Sequence, residues 1–144
     1  MRLFALVAIN MLIVMLTVAI HYEFLHWMTR LLPRLGIVHR ARIVVGVAGA
    51  MVAHSIEVWV FGVAYYLMIT TPGWGELHGE YFDGSLLDCI YFSFTVFTTL
   101  GFGDIYPEGN LRYLIGIESL TGLVLITWTA SFLYYEMQRN WSGT

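Results

Sequence analysis

Three long apolar runs and one short one set the layout of the chain. The first runs from Leu3 to Ile20 and carries no charged residue. A helix of about 20 mostly apolar residues crosses the hydrocarbon core of a bilayer, so this run predicts a first span. It exceeds the ~7–15 apolar residues of a cleavable signal, and His21-Tyr22-Glu23 follow it rather than a small-x-small site, so a retained span is expected. In His21–Arg42 the pattern changes. Phe24, Leu25, Met28, Leu31, Leu32 and Leu35 recur at helical spacing with Arg30 and Arg34 among them. That suits a helix lying in the membrane interface, ended or kinked by Pro33; a plain connecting loop suits the same residues.

The second long run covers Ile43–Thr70, and its Gly46, Gly49, Ala50 and Ala53 permit close helix approach. Thr71-Pro72-Gly73-Trp74-Gly75 closes it, and a polar loop follows to Gly84. The short run, Leu86–Thr98, cannot span as a helix and predicts a re-entrant segment. Ser85 and Asp88 resemble a capping box at its start, with Asp in place of Glu. The third long run is Tyr113–Tyr135, followed by a short tail, 140–144.

Composition agrees with a membrane domain. The 144 residues are 58% hydrophobic and 12% charged, against about 25% charged in soluble domains. All seven Lys or Arg residues are Arg. Arg30, Arg34, Arg40 and Arg42 share the loop between the first two runs, which predicts a cytoplasmic loop. Residues 71–111 carry Glu76, Glu80, Asp83, Asp88, Asp104 and Glu108 and no basic residue. The expected topology is N-terminus out, C-terminus in, with the re-entrant segment outside. The acidic loop either concentrates cations at that face or is an ordinary solvated loop. The single Cys89 reads as a small packing residue.

The short helix leads directly into Thr98-Thr99-Leu100-Gly101-Phe102-Gly103-Asp104. A cation that leaves water must have its hydration shell replaced, and a ring of backbone carbonyls can do this. Aiming successive carbonyls at one axis requires the backbone to alternate between left- and right-handed regions. Gly101 and Gly103 do so without a Cβ penalty. Leu100 and Phe102 would point away from the axis, and Thr99 can add a hydroxyl oxygen. The C-terminal end of the short helix would turn its partial negative charge toward the ion path.

The run Thr95-Val96-Phe97-Thr98-Thr99-Leu100-Gly101-Phe102-Gly103-Asp104 resembles the pore loop of the potassium channel superfamily, and the likeness continues through Ile105-Tyr106-Pro107 and Arg112. The extra first span resembles small bacterial channels of the ion-channel-2 type. The resemblance implies an all-α membrane protein with three transmembrane helices, a re-entrant pore helix and a selectivity filter. It implies an N-terminal unit 1–42 and a pore domain 43–139, with outer helix 43–70, pore helix 86–98, filter 99–103 and inner helix 113–135. It further implies a homotetramer in the plasma (inner) membrane, each chain giving one quarter of each carbonyl ring. K+ would bind at the filter carbonyls, with no other metal, cofactor or nucleic-acid partner. Phe102 stands where Tyr is commoner, and Leu100 where Val or Ile is commoner. Thr95 stands where many members have Glu, and Tyr91 where they have Trp, which implies a Tyr91–Asp104 hydrogen bond. With Thr98, these residues would support the filter.

Three ionisable residues fall inside spans: His54, Glu57 and Glu118. Such residues are rare in membranes and mostly face inward. Glu118 lies at a depth where it can brace the filter from behind, through His54 or through the hydroxyls of Ser93 and Thr95. His54 and Glu57, three residues apart, share a face; a pH sensor and a neutral structural network are the other readings. His21, His26 and His39 read as interface residues. Gly122, in the third span, is a hinge candidate or a packing contact. Thr127 and Ser131 are candidate cavity residues. No ladder of Arg crosses any span, as a voltage sensor requires. The function expected is passive K+ conduction. The alternatives are a weakly selective cation channel and a proton-coupled transporter built on His54, Glu57 and Glu118. An enzyme is not expected, since the sequence offers no nucleophile–base pair.

Overall fold

The computed structural model describes residues 2–141. Its order is α1 (Arg2–Arg34), α2 (His39–Ile69), β1 (Glu76–Gly79), α3 (Leu86–Phe97), β2 (Ile105–Glu108) and α4 (Leu111–Trp141). The helices α1, α2 and α4 are each long and apolar enough to cross a membrane. This is an all-α membrane protein with one short ribbon.

The expected break after Ile20 is absent. Helix α1 continues for 33 residues, about 50 Å at 1.5 Å per residue. The reason lies in its buried stripe. Leu6, Asn10, Thr17, His21, Leu25, Met28 and Leu32 recur at steps of three, four or seven and all lie on the side facing the rest of the molecule. Leu25, Met28 and Leu32 thus extend the stripe of the first span, so they do not form a separate interfacial helix. Pro33 sits in the last turn, and the helix stops one residue later. Only residues 35–38 link α1 to α2. The tail is shorter than expected, because α4 extends through Trp141; 142–144 lie outside the described residues.

Helix α2 touches each of the other helices, and α1 packs on both α2 and α4. Small residues set these distances. A Cβ on Gly49 would lie 3.0 Å from the Phe24 ring, and one on Gly46 would lie 3.1 Å from Leu133. Ala50 and Ala53 are buried beside them. The core gathers Val58, Phe61, Tyr65 and Met68 of α2 around Cys89, Ile90, Phe92 and Phe97 of α3, with Leu111, Leu114 and Leu125 of α4 closing it. Cys89 is a free, fully buried thiol that packs as expected.

Helix α3 is gripped from two sides. A Cβ on Gly62 of α2 would stand 2.8 Å from the Ile90 Cα, and a Cβ on Gly122 of α4 would overlap the Phe97 carbonyl. The start of α3 is capped: Ser85 Oγ accepts the Asp88 N–H at 3.1 Å. The reciprocal bond of a capping box has moved. The Ser85 N–H goes to Asp83 Oδ1 at 2.8 Å, and Asp88 Oδ2 reaches the Asp83 N–H at 2.9 Å, since Asp is one methylene shorter than Glu. The loops on either side of α3 are joined by the antiparallel pair β1–β2, in register Glu76 to Glu108 and Gly79 to Ile105. The sequence shows no strand signal there, because four residues are too few for an alternating pattern.

Candidate functional site

The segment after α3 does what its glycines permit. Thr98 is still right-handed, at φ −80°. Thr99, Gly101 and Gly103 then take φ values of 58°, 51° and 79°. Every second residue is left-handed, so successive peptide planes reverse along the segment. Thr99 does this with a Cβ, a conformation that costs an L-residue roughly 1–2 kcal/mol. The turn at its base is held by backbone bonds from Thr98, Thr99 and Gly101 N–H to the carbonyls of Phe94, Val96 and Thr95, at 3.2, 2.9 and 3.0 Å. Nothing lies within 4 Å of a Cβ built on Gly101 or Gly103. Leu100 and Phe102 are 59% and 64% exposed, so within one chain nothing wedges them.

Behind this segment the expected bond is present: the Tyr91 hydroxyl donates to Asp104 Oδ2 at 2.7 Å. Thr95 is buried and its hydroxyl donates to the Phe92 carbonyl, so it is not a partner of Glu118. Glu118 is fully buried and does brace α3, but not through His54. It takes the Tyr65 hydroxyl on Oε2 and Ser93 Oγ on Oε1, the latter at 2.5 Å. Ser93 Oγ also lies 2.9 Å from the Val58 carbonyl. One hydroxyl carries one proton, so a Glu118 carboxyl bearing its own proton satisfies all these contacts together. Ser93 was anticipated from the sequence; Tyr65 was not. Its eight-residue distance from Glu57 is the one hint that it faces the same way.

A second polar cluster lies at the middle of α2. His21 Nδ1 and His54 Nδ1 each lie 2.8 Å from a Glu57 oxygen, Oε1 and Oε2 respectively. Thr129 Oγ1 of α4 lies 3.1 Å from His54 Nε2 and 3.5 Å from His21 Nε2. His21 is therefore a buried core residue, not an interfacial one, because the stripe of α1 runs through it. The grouping of His54, Glu57 and Glu118 separates into two networks with no bond between them among the described residues.

In the loop before α3, hydrogen bonding with Asp88 and with Ser85 holds the Asp83 carboxyl below the usual carboxylate range. His78 lies 3.4 Å from Glu76 and 3.8 Å from Glu108 across the ribbon. In α4, Gly122 is within unbroken helix and pressed on Phe97. Thr127 and Ser131 lie on an exposed stripe with Leu120, Leu123 and Tyr134, opposite the buried stripe through Leu114, Glu118, Leu125 and Thr129.

No curated protein and no solved structure matched this chain. A family model described as "Ion channel" matches residues 53–139. The matched part takes in the second half of α2, all of α3, the left-handed segment and α4 almost to its end. That is more than half of the sequence, and it contains the helix, re-entrant loop and helix just described. The chain belongs to the pore-loop ion channel family.

Proposed function

We propose that the protein is a potassium-selective channel, in which four copies bring residues 99–103 around one axis and K+ passes through their carbonyl oxygens. The observation that carries this reading is the period-two alternation at Thr99, Gly101 and Gly103. A helix or strand has one backbone conformation throughout; an alternating chain presents its oxygens on one side. The exposed Leu100 and Phe102, and the exposed stripe of α4, supply surfaces for neighbouring copies. Thr127 and Ser131 then face the water-filled cavity below the filter. Arg30, Arg34, Arg40 and Arg42 support a cytoplasmic α1–α2 link, with the β1–β2 ribbon on the other side of the plasma membrane.

The test is ion flux in liposomes containing the purified chain. Wild type carries K+ flux that barium blocks, and Gly101→Ala abolishes it while the assembly keeps its size. Flux that survives Gly101→Ala removes the proposal. A weakly selective cation channel is the second reading. It is favoured by Phe102, which offers no ring hydroxyl where a Tyr would hydrogen-bond behind the filter. Reversal potentials in a K+/Na+ gradient separate the two.

A further inference from the structure

The cluster of His21, His54 and Glu57 lies outside the conduction path, joins α1 to α2, and has no part in the function proposed above. Each residue offers a ligand atom, and these atoms all lie within 4.8 Å of one another. His21 and Glu57 are fully buried, and the His54 side chain is 20% exposed. Among the described residues, the two histidines are the only ion-pair partners of Glu57.

Counting hydrogens shows what the cluster lacks. A neutral imidazole has one N–H and one bare nitrogen. If both rings donate from Nδ1 to Glu57, both Nε2 atoms are acceptors. Both face Thr129 Oγ1, at 3.5 and 3.1 Å. That hydroxyl has a single hydrogen, so with both rings neutral one lone pair is left facing oxygen, and the cluster calls for an added positive charge, as a proton on one ring or as a bound cation. A cation between the two Nδ1 atoms and the carboxylate reverses the arrangement. Both rings then carry hydrogen on Nε2, and the two lone pairs of Thr129 Oγ1 accept both. An oxygen acceptor behind the far ring nitrogen is the usual companion of a metal-bound imidazole.

We propose that His21, His54 and Glu57 form a binding site for a divalent transition-metal ion of the zinc class, with Thr129 accepting from both imidazoles. Two imidazoles and a carboxylate suit this class; calcium and magnesium take oxygen ligands instead. The two Nδ1 atoms and one carboxylate oxygen supply three donors, one from each residue, and leave a fourth position to water. Metal–ligand bonds of about 2.0–2.2 Å around a tetrahedral ion require the 2.8 Å N···O separations to open by roughly half an ångström. An occupied site fastens the first helix to the family-matched part of the chain. It does so beside the base of α3, where the His54 ring lies 5.8 Å from that of Phe97.

The test uses the full chain in detergent, stripped with EDTA and titrated with Co2+. The expected result is a visible ligand-field band that saturates at one Co2+ per chain and is displaced by Zn2+. His21→Gln and Glu57→Gln should each weaken binding by about tenfold or more. His78→Gln, which removes the histidine of the outer ribbon, should leave it unchanged. Absence of Co2+ and Zn2+ binding to folded wild type overturns the site, as does binding that persists in His21→Gln and disappears in His78→Gln. Should the buried variants aggregate, thermal melts of His78→Gln decide. Zn2+ must raise its midpoint and EDTA must reverse the rise; an unmoved midpoint overturns the proposal.

Discussion

Single residues here carry chemistry out of proportion to their size. Gly101 sits at φ 51° with open space around it, so a methyl group there meets no neighbour. The harm of Gly101→Ala is conformational, roughly 1–2 kcal/mol per chain from the left-handed backbone alone. Tyr91 is different: it is 42% exposed, and the bond to Asp104 depends on its hydroxyl oxygen alone. Tyr91→Phe should leave assembly intact and shift the K+/Na+ reversal potential toward weaker selectivity; an unchanged potential would show that the bond does not hold the filter. Asn10 presents the opposite case. It is fully buried in α1, and among the described residues neither its amide oxygen nor its nitrogen has a partner. A buried amide without a hydrogen bond costs about 1–3 kcal/mol. Asn10→Leu should therefore raise the thermal midpoint. The left-handed turns at Gly101 and Gly103 were legible in the sequence because the glycines that permit them lie within a few adjacent positions. The bond from Tyr65 to Glu118, and the meeting of His21 with His54 and Glu57, were not. Each joins residues on different helices, and no local pattern reports which faces of two helices meet.

Elements show where spacing speaks clearly and where it misleads. The four helices were expected because their apolar runs have the right lengths, and Pro33, expected to kink or end a helix, lies in the last turn of α1. The boundary drawn at residue 20 was wrong because hydropathy falls there while the buried stripe does not. Thr17, His21 and Leu25 keep the four-residue step even though two of the three are polar. The cap of α3 offers a direct measurement. Ser85→Ala removes the acceptor of the Asp88 N–H and should cost about 1 kcal/mol. The neighbouring Asp83 adds a pH dependence whose sign is fixed. Its carboxyl titrates lower in the folded chain than in the unfolded one. Its support is therefore complete above the ordinary carboxylate range and is lost as pH falls through the depressed value. The midpoint difference between wild type and Asp83→Asn should be largest near neutrality and vanish in acid. A difference that grows in acid would contradict the assignment.

At the scale of the whole molecule, the exposed surfaces ask for company. Leu100 and Phe102 project from the re-entrant segment, and Leu120, Leu123, Thr127, Ser131 and Tyr134 line one exposed side of α4. Lipid can cover the apolar members of these sets, but it has nothing to offer the bare backbone of residues 99–103. Four copies around an axis satisfy both demands. Mass measurement in detergent should find four chains, and Leu123→Asp, which places a charge on the shared side of α4, should reduce the assembly to smaller species. A wild-type chain that stays monomeric at every concentration would refute this arrangement.

The contact between Gly122 and the Phe97 carbonyl reaches further than local packing. With no side chain between them, α4 and the C-terminal end of α3 are in effect one solid piece. Any swing of α4 at that level pushes on the peptide just before Thr98, two residues from the first left-handed residue, Thr99. A bulkier residue at 122 should therefore alter ion flow before it prevents folding. Movement of α4 would thus be passed to residues 99–103 with little slack to absorb it on the way.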